Sequence, residues 1–271
     1  MHDVVAHVLQ RVAQQPRPLF VAIQGPQGSG KSYISAQLKS ILSSHLNVAV
    51  LSIDDLYLPH HRLVALAAEH PDNPLWNGRG QPGTHDVIYG EQLLSKLKSQ
   101  SGRIELPRFD KSLFNGEGDR LPMDLDDATF VQTPVDVVIL EGWCVGFNSI
   151  SVEELHHKWV GVWQEERAKL GLSDAVKEID INLVNETLKE YEQRLWPFFD
   201  VFIQLSPKTV ETYPSQYSII YRWRLEQEHS MKASNGGRGM SDEAVKLSLY
   251  TWLCVFWRCA ALAGQGTSPV P

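Results

Sequence analysis

Cysteine is scarce in this chain of 271 residues: Cys144, Cys254 and Cys259 stand at no spacing that ligates zinc or frames a set of disulfides. That excludes a disulfide-stapled scaffold and suits a reducing compartment. Basic charge is also short, with 25 Lys and Arg against 32 Asp and Glu and a formal net charge of −7. A general nucleic-acid or anionic-membrane binder would carry the opposite balance, although a local basic site remains compatible with it. Long apolar runs are missing too. The most apolar stretch, YTWLCVFWRCAALAG, is too short to span a bilayer and is broken by Arg258. The opening MHDVVAHVLQRVAQQP lacks the basic start and apolar core of a secretory signal and the Arg and Ser richness of a transit peptide. A soluble, cytoplasmic protein is therefore expected, with entry into a nucleus left open. There is no internal repeat. Nor is there an N-K-x-D motif, a D-x-x-G switch or an apolar run ending in a D-E pair, which argues against a GTPase or a motor ATPase.

What is present is an ordinary globular composition, 43% hydrophobic and 21% charged, able to bury a core. Val4, Val5, Val8, Leu9 and Val12 repeat at helical spacing. LFVAIQ then reads as a buried strand, followed by a helix carrying Ile34, Leu38, Ile41, Leu42 and His45. NVAVLSIDDLYL reads as a second strand ending in acidic residues, VDVVILEGW as a third, and VFIQL after Pro197 as a fourth. Continuous apolar strands separated by helices imply a parallel sheet covered on both faces. The expectation is one α/β domain over residues 1–271 with two insertions. The first, near 59–130, is rich in Pro, Gly, His and Asp with a helix near 87–98; the second, near 151–195, is polar and helical. In the latter, Val184, Leu188, Tyr191 and Leu195 mark one buried face. SNGGRGM reads as a joint before a last helix with Ser241 as its cap. His60, His61 and His70 form no ligand pattern, and the eight tryptophans, Trp252 and Trp257 included, are expected to pack the core.

The stretch Gly25-Pro26-Gln27-Gly28-Ser29-Gly30-Lys31-Ser32 fits G-x-x-x-x-G-K-[ST], between a strand and a helix. Glycines let successive backbone N–H groups approach a phosphate with no Cβ in the way. The following helix adds its unsatisfied N–H groups and positive dipole end. Lys31 supplies a mobile charge to the β- and γ-phosphates, and the Ser32 hydroxyl can ligate Mg2+. Asp54 and Asp55 lie just past the second strand, where a parallel sheet places its ligands. A carboxylate there can accept the proton of an attacking hydroxyl or help hold the metal. Glu141 ends the run VVIL, a position suited to magnesium or its water shell.

GPQGSGKS, LSIDDLYL, GRGQPGTHD, LPRFDKSLFNGEGDR, VVILEGWCVGF and WRLEQE with GMSDE occur in that order from about residue 18 to 262. The pattern resembles the fungal ATP-binding P-loop kinase-like proteins similar to D-glycerate 3-kinase and, more distantly, pantothenate kinase, uridine kinase and phosphoribulokinase. The resemblance implies a three-layer α/β P-loop fold with a mainly parallel sheet, ATP with Mg2+, and a small hydroxylated acceptor, best D-glycerate. It implies Asp54 as catalytic base, with the role of Asp55 left open. It places Thr84, His85 and Asp86 at the acceptor site, and Arg108, Asp110 and Lys111 opposite, where an Arg–Lys pair suits an anionic acceptor. Arg222 or Arg224, with Lys232 and Arg238 near the joint, would belong to a basic lid over the phosphates. The alternatives are an ATP-binding regulatory protein without efficient catalysis and a kinase for another small metabolite. No nucleic-acid or membrane partner is expected, and the oligomeric state is open.

Overall fold

The computed structural model describes residues 1–100, 102–123, 125–171, 174–206 and 216–234, together with residues 237, 242 and 245. The expected cap Ser241, Arg238, Cys254, Cys259, Trp252 and Trp257 lie outside the described residues.

Helix α1 (His2–Gln14) turns Val8 and Val12 inward, while Leu9 stays exposed. Strand β1 (Leu19–Gln24) is buried at all six residues and leads through the glycine turn into α2 (Lys31–Leu42). Strand β2 (Val48–Ser52), helices α3 (His60–Glu69) and α4 (Val87–Ser99), and the short strands β3 (Arg103–Glu105), β4 (Phe109–Asp110), β5 (Asp119–Arg120) and β6 (Phe130–Gln132) follow. Then come β7 (Val137–Gly142), α5 (Val152–Val160), α6 (Val162–Leu170), α7 (Glu178–Arg194), β8 (Val201–Gln204) and α8 (Gln216–Ser234).

The main sheet has the order β2-β7-β1-β8, and every pairing in it is parallel. Its strands are apolar without alternation because both faces are covered. Leu19, Val21, Ile23, Val137 and Ile139 pack with Val8 and Val12 of α1 and Leu38 and Leu42 of α2. The intervening Phe20, Ala22, Val138 and Leu140 pack on the other side with Leu93, Leu94 and Leu97 of α4 and Leu188 and Tyr191 of α7. Helices, sheet and helices thus form the three layers of a P-loop α/β fold. Register aligns the strand ends. Glu141 pairs with Ile23 on one side and Ser52 on the other, so the carboxyl ends of β1, β7 and β2 come level.

The helix expected near 87–98 and the buried face of 184, 188, 191 and 195 are observed, and all four of those side chains are buried. Three expectations need correction. Strand β2 stops at Ser52; Asp54 and Asp55 lie in a 3₁₀ turn (Ile53–Leu56) whose first N–H groups are satisfied by the Ser52 and Asp55 side chains. Helix α2 stops at Leu42, so His45 lies beyond it, and Ile41 is exposed. The first insertion also holds two small antiparallel ladders, β3–β6 and β4–β5, of two or three residues each. Runs that short carry no readable period. No helix among the described residues is long and apolar enough to cross a membrane.

Candidate active site

The glycine turn leaves β1 at Gln24 and ends at Gly30, which caps α2 in the left-handed region at φ 85°. Gly28 is also left-handed, at φ 75°, and a Cβ there would meet Trp223 Cβ of α8 at 2.5 Å. Both strain and space therefore require glycine at residue 28. Ser29 Oγ is buried with no hydrogen-bond partner in the protein. Lys31 is buried and donates from Nζ to the Pro26 carbonyl at 2.8 Å, folding its ammonium back over the turn. Burial lowers its pKa, against the opposing pull of the Glu141 and Asp54 carboxylates. A turn with exposed amides, an orphaned hydroxyl and a desolvated cation suits a polyphosphate.

At the carboxyl end of β7, Glu141 accepts a hydrogen bond from Ser32 Oγ at 2.9 Å. Burial raises its pKa, while Lys31 and Ser32 pull it down. A hydroxyl and a carboxylate are the hard oxygen donors that magnesium takes, usually alongside phosphate oxygens and water. Among the described residues no group of three or more His, Cys, Asp or Glu side chains could cage a metal alone. A magnesium ion at Ser32 and Glu141 fits that sharing with phosphate.

Asp54 stands at the third corner. Burial would raise its pKa, but Lys111 overcomes this through its charge and a 2.6 Å bond from Nζ to Oδ2, and the carboxylate sits at about 2. Its neighbour Asp55 behaves oppositely: burial pushes it up to about 6, although it accepts from the N–H groups of Phe109 and Ser52. Asp55 thereby ties the turn to β4. The cavity that joins these parts measures about 1110 Å³ and is lined by Lys31, Ser32, Asp54, Lys111, Glu141 and Arg224 among others. That volume holds the phosphates of a nucleotide and a small second molecule.

No family model matches the chain. Individual relatives do. It is 34% identical over 253 residues to "Uncharacterized kinase mug58" of Schizosaccharomyces pombe, covering 89% of this chain and 82% of that one. It is 36% identical over 237 residues to "Probable ATP-dependent kinase TDA10" of Saccharomyces cerevisiae, covering 84% and 73%. A solved structure of D-glycerate 3-kinase from Cryptococcus neoformans superposes with a TM-score of 0.79 at 37% identity, covering 94% of this chain and 86% of that one. The chain belongs to this family of P-loop kinases. It is a small-molecule kinase related to D-glycerate 3-kinase, and the ATP-dependence of its relatives implies ATP use.

Within this kinase the residues expected around the acceptor separate into two groups. Lys111 and Asp54 line the cavity; Thr84, His85, Asp86, Arg108 and Asp110 are not among its lining residues. Thr84 is fully buried, donating to the Gln81 carbonyl and accepting from Gly80 N–H. His85 is buried, stacks on Tyr57 at 4.4 Å and bonds Tyr191 Oη through Nδ1 at 2.8 Å; burial drops its pKa to about 4. Asp86 caps α4 at Tyr89 N–H and pairs with Arg120 at 3.1 Å. Arg108 pairs with Asp127 at 2.8 Å, and Asp110 holds a tight turn through Ser112. GTHD therefore builds the layer behind Asp54. Of the two expected lid arginines, Arg224 lines the cavity and pairs with Glu228 at 2.8 Å, while Arg222 is exposed on a pair with Glu226. Sequence reasoning missed Arg79, which lines the cavity between the left-handed Gly78 and Gly80. The signal was an arginine flanked by two glycines.

Proposed function

We propose that the protein transfers the γ-phosphoryl group of ATP to a hydroxyl of D-glycerate, giving 3-phosphoglycerate, with residues 1–271 acting as one kinase domain. The observation that carries this reading is the convergence of Lys31, Glu141 and Asp54 on one cavity at the ends of three parallel strands. The N–H groups of residues 25–32 hold the phosphates, and Lys31 turns from the Pro26 carbonyl to the β- and γ-oxygens. Magnesium, when bound through Ser32 and Glu141, supplies charge neutralisation across the phosphates. Asp54 accepts the hydrogen bond of the acceptor hydroxyl and takes its proton as that oxygen bonds to the γ-phosphorus and ADP leaves. Arg224 faces the same space from α8 and stabilises the transferring charge.

With a pKa near 2, Asp54 is a weak base while Lys111 holds it. An anionic acceptor that draws Lys111 away restores its basicity at the moment the hydroxyl arrives. The same ion pair is what favours the alternative, an ATP-binding regulator in which Asp54 stays engaged. Incubation with ATP, magnesium and a panel of hydroxy acids, pantothenate, nucleosides and sugars separates the readings. Acceptor-dependent ADP release with D-glycerate is expected. Tight ATP binding with no turnover on any acceptor would establish the regulator, and preferred turnover of a nucleoside or pantothenate would reassign the acceptor.

A further inference from the structure

Four cations line the cavity: Lys31, Arg79, Lys111 and Arg224. Two have carboxylate partners, Lys111 on Asp54 and Arg224 on Glu228, and Lys31 belongs to the phosphate turn. Arg79 makes no ion pair among the described residues. Its Nη1 donates to the carbonyls of Gly116 and Glu117, and no bond from Nε or Nη2 to the described residues accompanies these. Its guanidinium also sits 5.8 Å from the centre of the Phe109 ring. One edge of the planar group is thus fastened to the 111–118 loop, and the other has no partner among the described residues. Burial disfavours its charge; Tyr57 and Asp54 favour it, whereas Arg224 repels it. A half-buried guanidinium whose nearby carboxylate, Asp54, is already engaged by Lys111 is short of an anion. The phosphates of ATP are accounted for by the turn at the far corner, so the missing anion is one carried by the acceptor.

We propose that Arg79 is the specificity-determining residue of this kinase: it binds the carboxylate of the acceptor and selects hydroxy acids over neutral polyols, sugars and nucleosides. The inference rests on the kinase reading and supplies the acceptor class that reading leaves to resemblance. It also replaces Arg108, whose guanidinium is taken by Asp127, in the arginine–lysine pair. Arg79 and Lys111 then grip one carboxylate, and Lys111 leaves Asp54 as it does so. A planar fork is suited to two carboxylate oxygens in a way that a lysine is not. The loop contact adds an ordering effect, because a ligand that fixes Arg79 fixes the carbonyls of residues 116 and 117 over the cavity.

The test compares D-glycerate with glycerol, the neutral analogue that keeps the hydroxyls, on wild type, Arg79→Gln and Arg79→Lys. Two readouts are taken: kcat/KM for each acceptor, and calorimetric binding of each with a non-hydrolysable ATP analogue present. Wild type is expected to favour D-glycerate in both. Arg79→Gln should lower that preference by roughly 10- to 100-fold, the worth of a hydrogen-bonded charge, with KM for ATP unchanged. Arg79→Lys should recover part of it. A purely structural arginine would depress D-glycerate and glycerol alike and leave their ratio intact, and that result overturns the proposal. Arg79-dependent D-glycerate binding without turnover would refute the kinase reading while upholding the subsite. Turnover with an unchanged ratio in both variants would do the reverse.

Discussion

Replacing Lys111 by Met removes the charge on Asp54 and keeps most of the side-chain stem. In wild type the Asp54 carboxyl titrates at about 2, below its ordinary 3.8, because the Lys111 charge and hydrogen bond outweigh burial. The other influences are weak replacements: His85 is held neutral above about 4, and Lys31 acts only through space. In the variant burial dominates, and Asp54 titrates above its ordinary value. A move from 2 to 3.8 corresponds to about 2.5 kcal/mol at 1.36 kcal/mol per pH unit. Lys111 is 53% exposed, however, so solvent screens the pair and the net effect is on the order of 1 kcal/mol. The sign follows from linkage. A depressed carboxylate stabilises the fold above its unfolded pKa, and that contribution is lost as pH falls through about 2. Wild type should therefore exceed the variant by about that amount at neutral pH, with the gap closing on acidification. The kinetic assay is kcat/KM for D-glycerate from pH 3.5 to 8, expressed as the ratio of variant to wild type so that titration of ATP and acceptor cancels. The ratio should fall toward acid as the Asp54 base is protonated. A ratio independent of pH, with equal melting temperatures at neutral pH, would refute the claim that Lys111 governs Asp54.

Asp54→Asn should lower kcat by roughly 10²–10⁴ with ATP affinity little changed, in steady-state kinetics and nucleotide titration; a drop below threefold removes Asp54 from the chemistry. Lys31→Ala should raise KM for ATP, lower kcat, or both, and it leaves Glu141 buried without its opposing charge; unaltered kinetics would contradict the phosphate cradle. Asp55 binds its proton more tightly folded than unfolded, so its contribution is fully present below pH 3.8 and falls as pH rises through about 6. Asp55→Asn should flatten that decline when melting temperature is followed from pH 4 to 7.5, and a slope identical to wild type would exclude Asp55 as its source.

The legible parts of the molecule were those written in short, contiguous patterns. LFVAIQ and VVIL are apolar without alternation because both faces are covered, and the glycine turn fixes Gly25, Gly30, Lys31 and Ser32 within one short segment. Register then brings Glu141 level with Ser52, two residues before Asp54, a consequence of parallel pairing that spacing alone does not state. The acceptor side was harder to read because it is built by insertions whose strands span two or three residues. Arg79 and Arg108 both sit in distinctive segments, yet one opens onto the cavity and the other closes on Asp127, nineteen positions along the chain. THD looks like a reactive triplet, but each side chain is spent on internal bonds: a turn, a stacked ring and a helix cap.

The most direct test follows the γ-phosphoryl group itself. With γ-labelled ATP, magnesium and D-glycerate, label should appear in a phosphomonoester at the 3-hydroxyl with wild type and fall by roughly a hundredfold or more with Asp54→Asn. Label released only as inorganic phosphate, at a rate indifferent to acceptor and to Asp54, would contradict the account.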